Sequence, residues 1–238
     1  MTFAARPHRP IRSFVRREGR ITKAQERALT ELWPRYGVDA GDAPLDLCAL
    51  FGRKAPVHVE IGFGNGDVLA AMAARHPEYD YLGIEVHRPG IGALLRRLEA
   101  AGLGNARVMR ADAEEVLARN IPDAALSAVN IFFPDPWPKK RHHKRRLIQP
   151  EFAELVRRKL QPGGMLHLAT DWRDYAEQML DVLSQTPGFE NTAGAGAFAP
   201  RPSVRPPTRF EERGRRLGHE VYDLCFRRSD GETTDKHG

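Results

Sequence analysis

Apolar positions along this chain keep two rhythms in turn. From residue 57 onward, short apolar runs of strand length alternate with stretches whose apolar positions recur every three or four residues, as on one face of a helix. Val57–Ile61 predicts a strand and Asp67–Arg75 a helix; Tyr81–Val86 a strand and Ile91–Ala101 a helix; Arg107–Arg110 a strand and Ala113–Arg119 a helix. Ala128–Phe133 and Glu151–Leu160 repeat the pair, as do Met165–Ala169 and Asp174–Ser184, and Val221–Arg227 predicts a last strand. Strand and helix alternating in this way indicate an α/β domain, a parallel sheet with helices on both faces. Ahead of it, Thr22 and Gln25 stand at capping-box spacing. The helix they open is expected to stop near Trp33, because Pro34 disfavours α geometry in the residue before it.

The segments outside this rhythm set the domain limits. Residues 1–21 are rich in Arg and Pro and predict a flexible basic tail. Residues 22–228 make a single domain, interrupted at 193–207 by an Ala, Gly, Pro and Arg stretch expected to be a mobile loop, and 229–238 form a polar tail. The chain of 238 residues is long enough for one large α/β core. No apolar run approaches the ~18 residues of a membrane span, and the arginine-rich start lacks the apolar segment expected of a secretory signal. Cys48 and Cys225 are the only cysteines, so no disulfide framework is expected and a cytoplasmic setting is the default. No metal is expected; monomer and homodimer are both open.

Charge changes the picture through its placement. The formal net charge is only +6. Residues 1–20 hold six arginines against Glu18, and residues 139–146 read Lys-Lys-Arg-His-His-Lys-Arg-Arg, so the remainder of the chain is net acidic.

The first candidate chemistry lies where the strand ending at Ile61 runs into Gly62-Phe63-Gly64-Asn65-Gly66 and then a helix. Such glycines allow a tight turn and close approach of a ligand. The Gly-Lys-Ser/Thr ending of a phosphate-binding P-loop is missing. The spacing is Gly-x-Gly-x-Gly rather than that of a dinucleotide fold, and Glu60 before it suits an ammonium or sulfonium better than a pyrophosphate. Glu85 closes the next strand about 20 residues on, where a ribose-binding acid belongs, and Asp112 closes the third. Glu60 and Asp112 have an alternative use as helix caps. Together with the turn Pro162-Gly163-Gly164, these features resemble the S-adenosylmethionine site of the class I methyltransferases.

The fourth strand ends in Phe133-Pro134-Asp135-Pro136-Trp137, and six cations in eight residues follow at once. Prolines on both sides of Asp135 fix its backbone. A basic run beside a cofactor site points to a polyanion, nucleic-acid phosphate above all.

From Thr22 to Arg228 the chain resembles the bacterial tRNA (guanine-N7)-methyltransferases, most specifically at Glu60–Gly66, Gly83–His87, Phe133–Arg146, Ala169–Trp172 and Thr208–Glu211. The resemblance implies the class I methyltransferase Rossmann-like fold, a mostly parallel seven-stranded sheet with an antiparallel C-terminal strand. It implies that Glu60, Glu85, Asp112 and Asp135 contact S-adenosylmethionine beside the loop glycines Gly62, Gly64 and Gly66, and that Asp135 is catalytic. It assigns Lys139, Asp171, Thr208, Arg209, Phe210 and Glu211 to the substrate, and Arg141, His142, His143, Lys144, Arg145 and Arg146 to the RNA. The implied reaction forms 7-methylguanosine at guanine-46 in the tRNA variable loop. Where the family often carries Lys, this chain has Arg209.

The chemistry suits these residues. Guanine N7 has a free lone pair and needs no deprotonation. Positive charge moves from donor to base, so a carboxylate is wanted where that charge arrives. Asp135 is the candidate; Asp171 is a second, or else an N-cap for the helix after it. Trp137, Phe133 or Trp172 would stack on the base, or serve as core and rim aromatics. Three other functions are weighed: an exocyclic-amine methyltransferase, against which Asp-Pro-Trp speaks; an RNA-binding protein with a vestigial fold; and a dinucleotide oxidoreductase.

Overall fold

The structure, a computed structural model, describes residues 19–206, Ser13, Glu211, Gly218 and residues 220–229. Its centre is an eight-stranded sheet. The strands are β1 (Gly37–Val38), β2 (Val57–Ile61), β3 (Asp80–Glu85), β4 (Ala106–Arg110), β5 (Leu126–Phe132), β6 (Leu160–Thr170), β7 (Phe189–Asn191) and β8 (Tyr222–Arg228), in the order β1-β4-β3-β2-β5-β6-β8-β7. The first six pair in parallel; β8 runs antiparallel to β6 and β7 antiparallel to β8.

The expected α/β fold and its antiparallel C-terminal strand are present, but the strand count is eight rather than seven. The edge pieces β1 and β7 span two and three residues, too short to show any periodicity of their own. They exist because a neighbouring strand offers them a ladder.

The helices are α1 (Lys23–Glu31), α2 (Trp33–Tyr36), α3 (Leu47–Phe51), α4 (Asp67–Arg75), α5 (Arg88–Ala100), α6 (Ala113–Arg119), α7 (Pro150–Lys159) and α8 (Arg173–Gln185). The capping box at α1 is formed in both directions: Gln25 N donates to Thr22 Oγ1 at 3.2 Å, and Thr22 N donates to Gln25 Oε1 at 2.9 Å. Pro34 does more than end α1. It sits in the first turn of α2, where a missing N–H is harmless. Tyr36 at the end of α2 is fully buried, with its hydroxyl donating to Glu99 at 2.9 Å.

Apolar side chains pack on both faces of the sheet. Leu69 and Met72 of α4 and Ile91, Leu94, Leu95 and Leu98 of α5 fill one side with Tyr81 and Val108. Phe152 and Val156 of α7 and Tyr175, Met179 and Leu183 of α8 fill the other with Val59, Ile84, Val129 and Leu168. The chain winds outward from β2 in both directions, to β3 on one side and β5 on the other. Ligands of open α/β sheets bind at the carboxyl ends of the strands at such a reversal. Glu60 and Asn130 pair there in register.

Candidate functional site

The glycine loop is a backbone construction. Gly62, Gly64 and Gly66 have φ values of 70°, 55° and 73°, in the left-handed region that side chains resist. Gly66 is also the N-cap of α4, so neither Glu60 nor any other acid caps that helix. A Cβ on Gly64 would project into open space, which leaves the loop's backbone accessible to a ligand. Behind the loop there is no slack: a Cβ on Gly90 of α5 would lie 2.1 Å from Gly64 O, and one on Gly92 would lie 2.6 Å from Gln25 O of α1.

The three acids expected here meet different fates. Glu85 is held by backbone: its Oε2 accepts from Gly64 N at 3.0 Å, and its Oε1 from Val86 N at 2.6 Å and His87 N at 3.0 Å. It thereby ties β3 to the loop. Glu60 is 4% exposed, and its Oε2 has no hydrogen-bond partner. Burial first, and the charge of Glu85 second, push its carboxyl up to about 8. Asp112 is the N-cap of α6 and accepts from Glu114 N at 3.1 Å, so the capping use is real for this residue.

A buried carboxyl with an orphaned oxygen, beside a glycine loop whose own amides are already engaged, lacks one thing: a cation with an N–H to give. The amino acid end of S-adenosylmethionine has that chemistry, so the residues present fit this group. Among the described residues, no cluster of three or more His, Cys, Asp or Glu is placed to hold a metal ion. No described helix is long and apolar enough to cross a membrane.

Across β2, strand β5 delivers Asp135. Phe133 leaves the strand with φ 52° and Trp137 has φ 44°, so two left-handed non-glycine residues bracket Pro134-Asp135-Pro136. Each such residue carries about 1–3 kcal/mol of strain and persists only where its surroundings hold it. Here the ties are specific. Phe133 N donates to Ala169 O at 2.7 Å, Arg146 Nε to Pro136 O at 2.9 Å, and Trp137 Nε1 to Ser13 O at 3.0 Å. The guanidinium of Arg145 lies 4.0 Å from the Trp137 ring centroid, and His142 meets the same ring edge-on at 5.8 Å. Asp135 itself is exposed.

The basic run forms a short 3-10 helix, Lys140–Arg145. Lys139, Lys140, Arg141 and Lys144 are exposed. Desolvation, then Arg141 and Arg145, lower the His142 pKa. Arg146, expected on the RNA face, is buried at 2% exposure. It donates to Asp174 and Gln178 of α8 as well as to Pro136, and lies 4.8 Å from the Tyr175 ring centroid. It fastens the basic run and the Asp135 turn to α8 instead of facing solvent with its neighbours.

Asp171 is exposed at the end of β6, and Trp172, not Asp171, is the N-cap of α8. Trp172 is 40% exposed. Of the expected substrate segment, Thr208, Arg209 and Phe210 lie outside the described residues; Glu211 is buried and paired with Arg205 and Arg201. The stretch expected as a mobile loop is anchored through Arg205, which is 1% exposed. Arg205, Asp223, His167, Asp174 and Gln178 all escaped sequence reasoning, since nothing local distinguishes a buried polar residue from a surface one.

A family model described as a putative methyltransferase matches residues 54–224. The tRNA (guanine-N(7)-)-methyltransferase of Alkalilimnicola ehrlichii is 62% identical over 229 residues, covering 95% of this chain and 96% of that protein. Its namesake from Nitrosococcus oceani is 60% identical over 93% of this chain and 92% of its own. Among solved structures, the 16S rRNA methyltransferase KamB superposes with a TM-score of 0.54 at 15% identity, over 90% of this chain and 97% of its own. A 16S rRNA adenine methyltransferase from Catenulisporales acidiphilia, solved with cosubstrate SAM, gives 0.53 at 18% identity, over 81% and 96%. The structures share the fold, and the relatives align over nearly the whole chain. The chain is a member of the tRNA (guanine-N7)-methyltransferase family.

Proposed function

We propose that this protein transfers a methyl group from S-adenosylmethionine to guanine N7 of tRNA, at guanine-46 of the variable loop, in the cytoplasm. One observation carries the reading. A buried carboxyl short of a cation, Glu60, and a solvent-facing carboxylate on a strained turn, Asp135, stand at the ends of the adjacent strands β2 and β5.

When bound, S-adenosylmethionine supplies a methyl on a cationic sulfur; the carbon–sulfur bond breaks as the carbon–N7 bond forms. Glu60 would hold the ammonium, Glu85 the ribose hydroxyls and Asp112 the adenine amino group, with Gly62, Gly64 and Gly66 giving the close backbone approach. Asp135 faces the base as it becomes cationic, and stabilises charge rather than removing a proton. N7 is hidden in the deep groove of paired A-form RNA, so the guanine must be drawn out of its contacts. Trp172, the exposed aromatic beside Asp171, suits stacking on it better than Trp137, which is already engaged by Arg145 and Ser13. Lys139 and Asp171 complete the substrate side with Thr208, Arg209 and Phe210, while Arg141, His142, His143, Lys144 and Arg145 meet phosphates.

Incubation with methyl-labelled donor and bulk tRNA, followed by nucleoside analysis, tests this. The expected label is in 7-methylguanosine, and it vanishes in a tRNA with adenine at position 46. Label in N6-methyladenosine alone would assign the protein to the exocyclic-amine methyltransferases.

A further inference from the structure

Among the fully buried side chains of the described structure, Arg205 is the largest. A guanidinium in the interior is costly unless every donor is met. All three guanidinium nitrogens of Arg205 are engaged by carboxylates. Its Nε and Nη2 donate to Asp223 Oδ1 and Oδ2, both at 2.8 Å, and its Nη1 donates to Glu211 Oε2 at 2.7 Å. His167 Nε2 lies 2.7 Å from the same Asp223 Oδ1, and Arg201 reaches Glu211 Oε1 at 3.3 Å.

The position of this cluster matters more than its strength. The Arg205 guanidinium lies 5.7 Å from the Phe132 ring centroid and 5.9 Å from that of Phe133. Phe132 is the last residue of β5, and Phe133 is the left-handed residue that opens the turn to Asp135. One side chain thus joins strand β8 through Asp223, the end of the Thr208–Glu211 segment through Glu211, and the aromatic pair from which Asp135 departs. Stability alone does not require such a device, because an apolar residue of similar volume often replaces a buried ion pair without loss. A hydrophobe lacks the directional link among three elements that a planar, forked guanidinium makes.

We infer that Arg205 is a positioning residue for methyl transfer: it holds Phe133 in the conformation that aims Asp135, and fixes Glu211 to the same point. The inference rests on the role given to Asp135 under Proposed function. Arg205 acts through Asp135 and touches neither donor nor base.

Arg205→Lys tests it, since lysine keeps the charge and loses the fork. Turnover, KM for tRNA, calorimetric affinity for S-adenosylhomocysteine and melting temperature are measured on the full chain. The expected result is a kcat at least about 30-fold below the parent, with S-adenosylhomocysteine affinity within about threefold, because the glycine loop is built on β2 and β3. Combined with Asp135→Asn, the two losses fall well short of multiplying, as they must if one residue works through the other. A kcat within threefold of the parent, multiplying losses, or a parallel fall in S-adenosylhomocysteine affinity overturns the inference. Asp223→Asn, which weakens the fork from its other side, is read in the same way. If neither variant folds, the cluster serves stability and the inference is wrong. A parent that binds S-adenosylhomocysteine but forms no 7-methylguanosine overturns the functional reading along with it, whereas an active parent with an indifferent Arg205→Lys overturns this inference alone.

Discussion

On the β2–β4 side of the site, charges are placed by backbone. Glu85 is held by the amides of Gly64, Val86 and His87, and Asp112 by that of Glu114. On the β5–β8 side they are placed by other side chains. Arg146 reaches Asp174 and Gln178, Arg205 reaches Asp223 and Glu211, and His167 meets Asp223. The difference follows from what each side must hold. A glycine loop and strand ends have fixed amides that hold acids in place beside a small ligand. An exposed turn bracketed by two left-handed residues has no regular backbone around it, so distant side chains keep it in place.

The contrast breaks most visibly at Asp135. Asp135→Asn keeps the turn and removes the charge. Turnover should fall about 10²–10³-fold, the usual loss when one electrostatic partner of a transition state is removed, with S-adenosylhomocysteine binding nearly unchanged. A near-parent rate in a methylation assay would strip Asp135 of its role.

Arg146 comes next. Arg146→Met should cost about 2–3 kcal/mol in denaturant unfolding, below the ~3–5 kcal/mol of a fully buried pair because Asp174 is 62% exposed. Replacing Lys140, Arg141 and Lys144 together by Ser should leave stability intact. It should weaken tRNA binding roughly 10–100-fold at low salt and flatten the salt dependence by about 0.7–0.9 log units for each phosphate that is no longer neutralised. An Arg146→Met protein with unchanged stability and a flattened salt slope would return that residue to the RNA face.

The last effect, spread across pH, concerns Glu60. In the folded, ligand-free protein its carboxyl stays protonated up to about pH 8, against 4.5 for an ordinary glutamate. A cationic ligand favours the ionised form, so binding below pH 8 releases a proton. Affinity for S-adenosylmethionine should therefore rise with pH, by at most about tenfold per unit, and level off above about 8. The same shift lowers the stability of the ligand-free protein as pH climbs from about 4.5 toward 8, since the unfolded chain ionises first. Glu60→Gln should flatten both dependences and raise the ligand-free melting temperature near neutral pH while weakening binding. Calorimetry in buffers of differing ionisation enthalpy, and melting curves across pH, read the two signs.

These two sides were not equally legible in the sequence. The loop glycines, Glu60, Glu85 and Asp112 could be found because each sits at a strand end fixed by local pattern, and local pattern is what a sequence displays. Arg146 looked like its neighbours because six cations in eight residues carry no sign of which one turns inward. That is decided by Asp174 and Gln178, 28 and 32 residues away. Arg205 stands 18 residues from Asp223, in a stretch whose composition resembles a linker. The edge strands β1 and β7 were silent because pairing, not periodicity, makes them strands.

The close approach of Gly90 to the glycine loop has a mechanical meaning. With no room for a Cβ between Gly90 and Gly64 O, and none between Gly92 and Gln25 O, the loop rests on α5 and α5 rests on α1. The ligand-holding loop is a floor laid on two beams. It has freedom toward solvent and none in retreat, so a single methyl added at position 90 or 92 lifts the floor instead of raising a local bump.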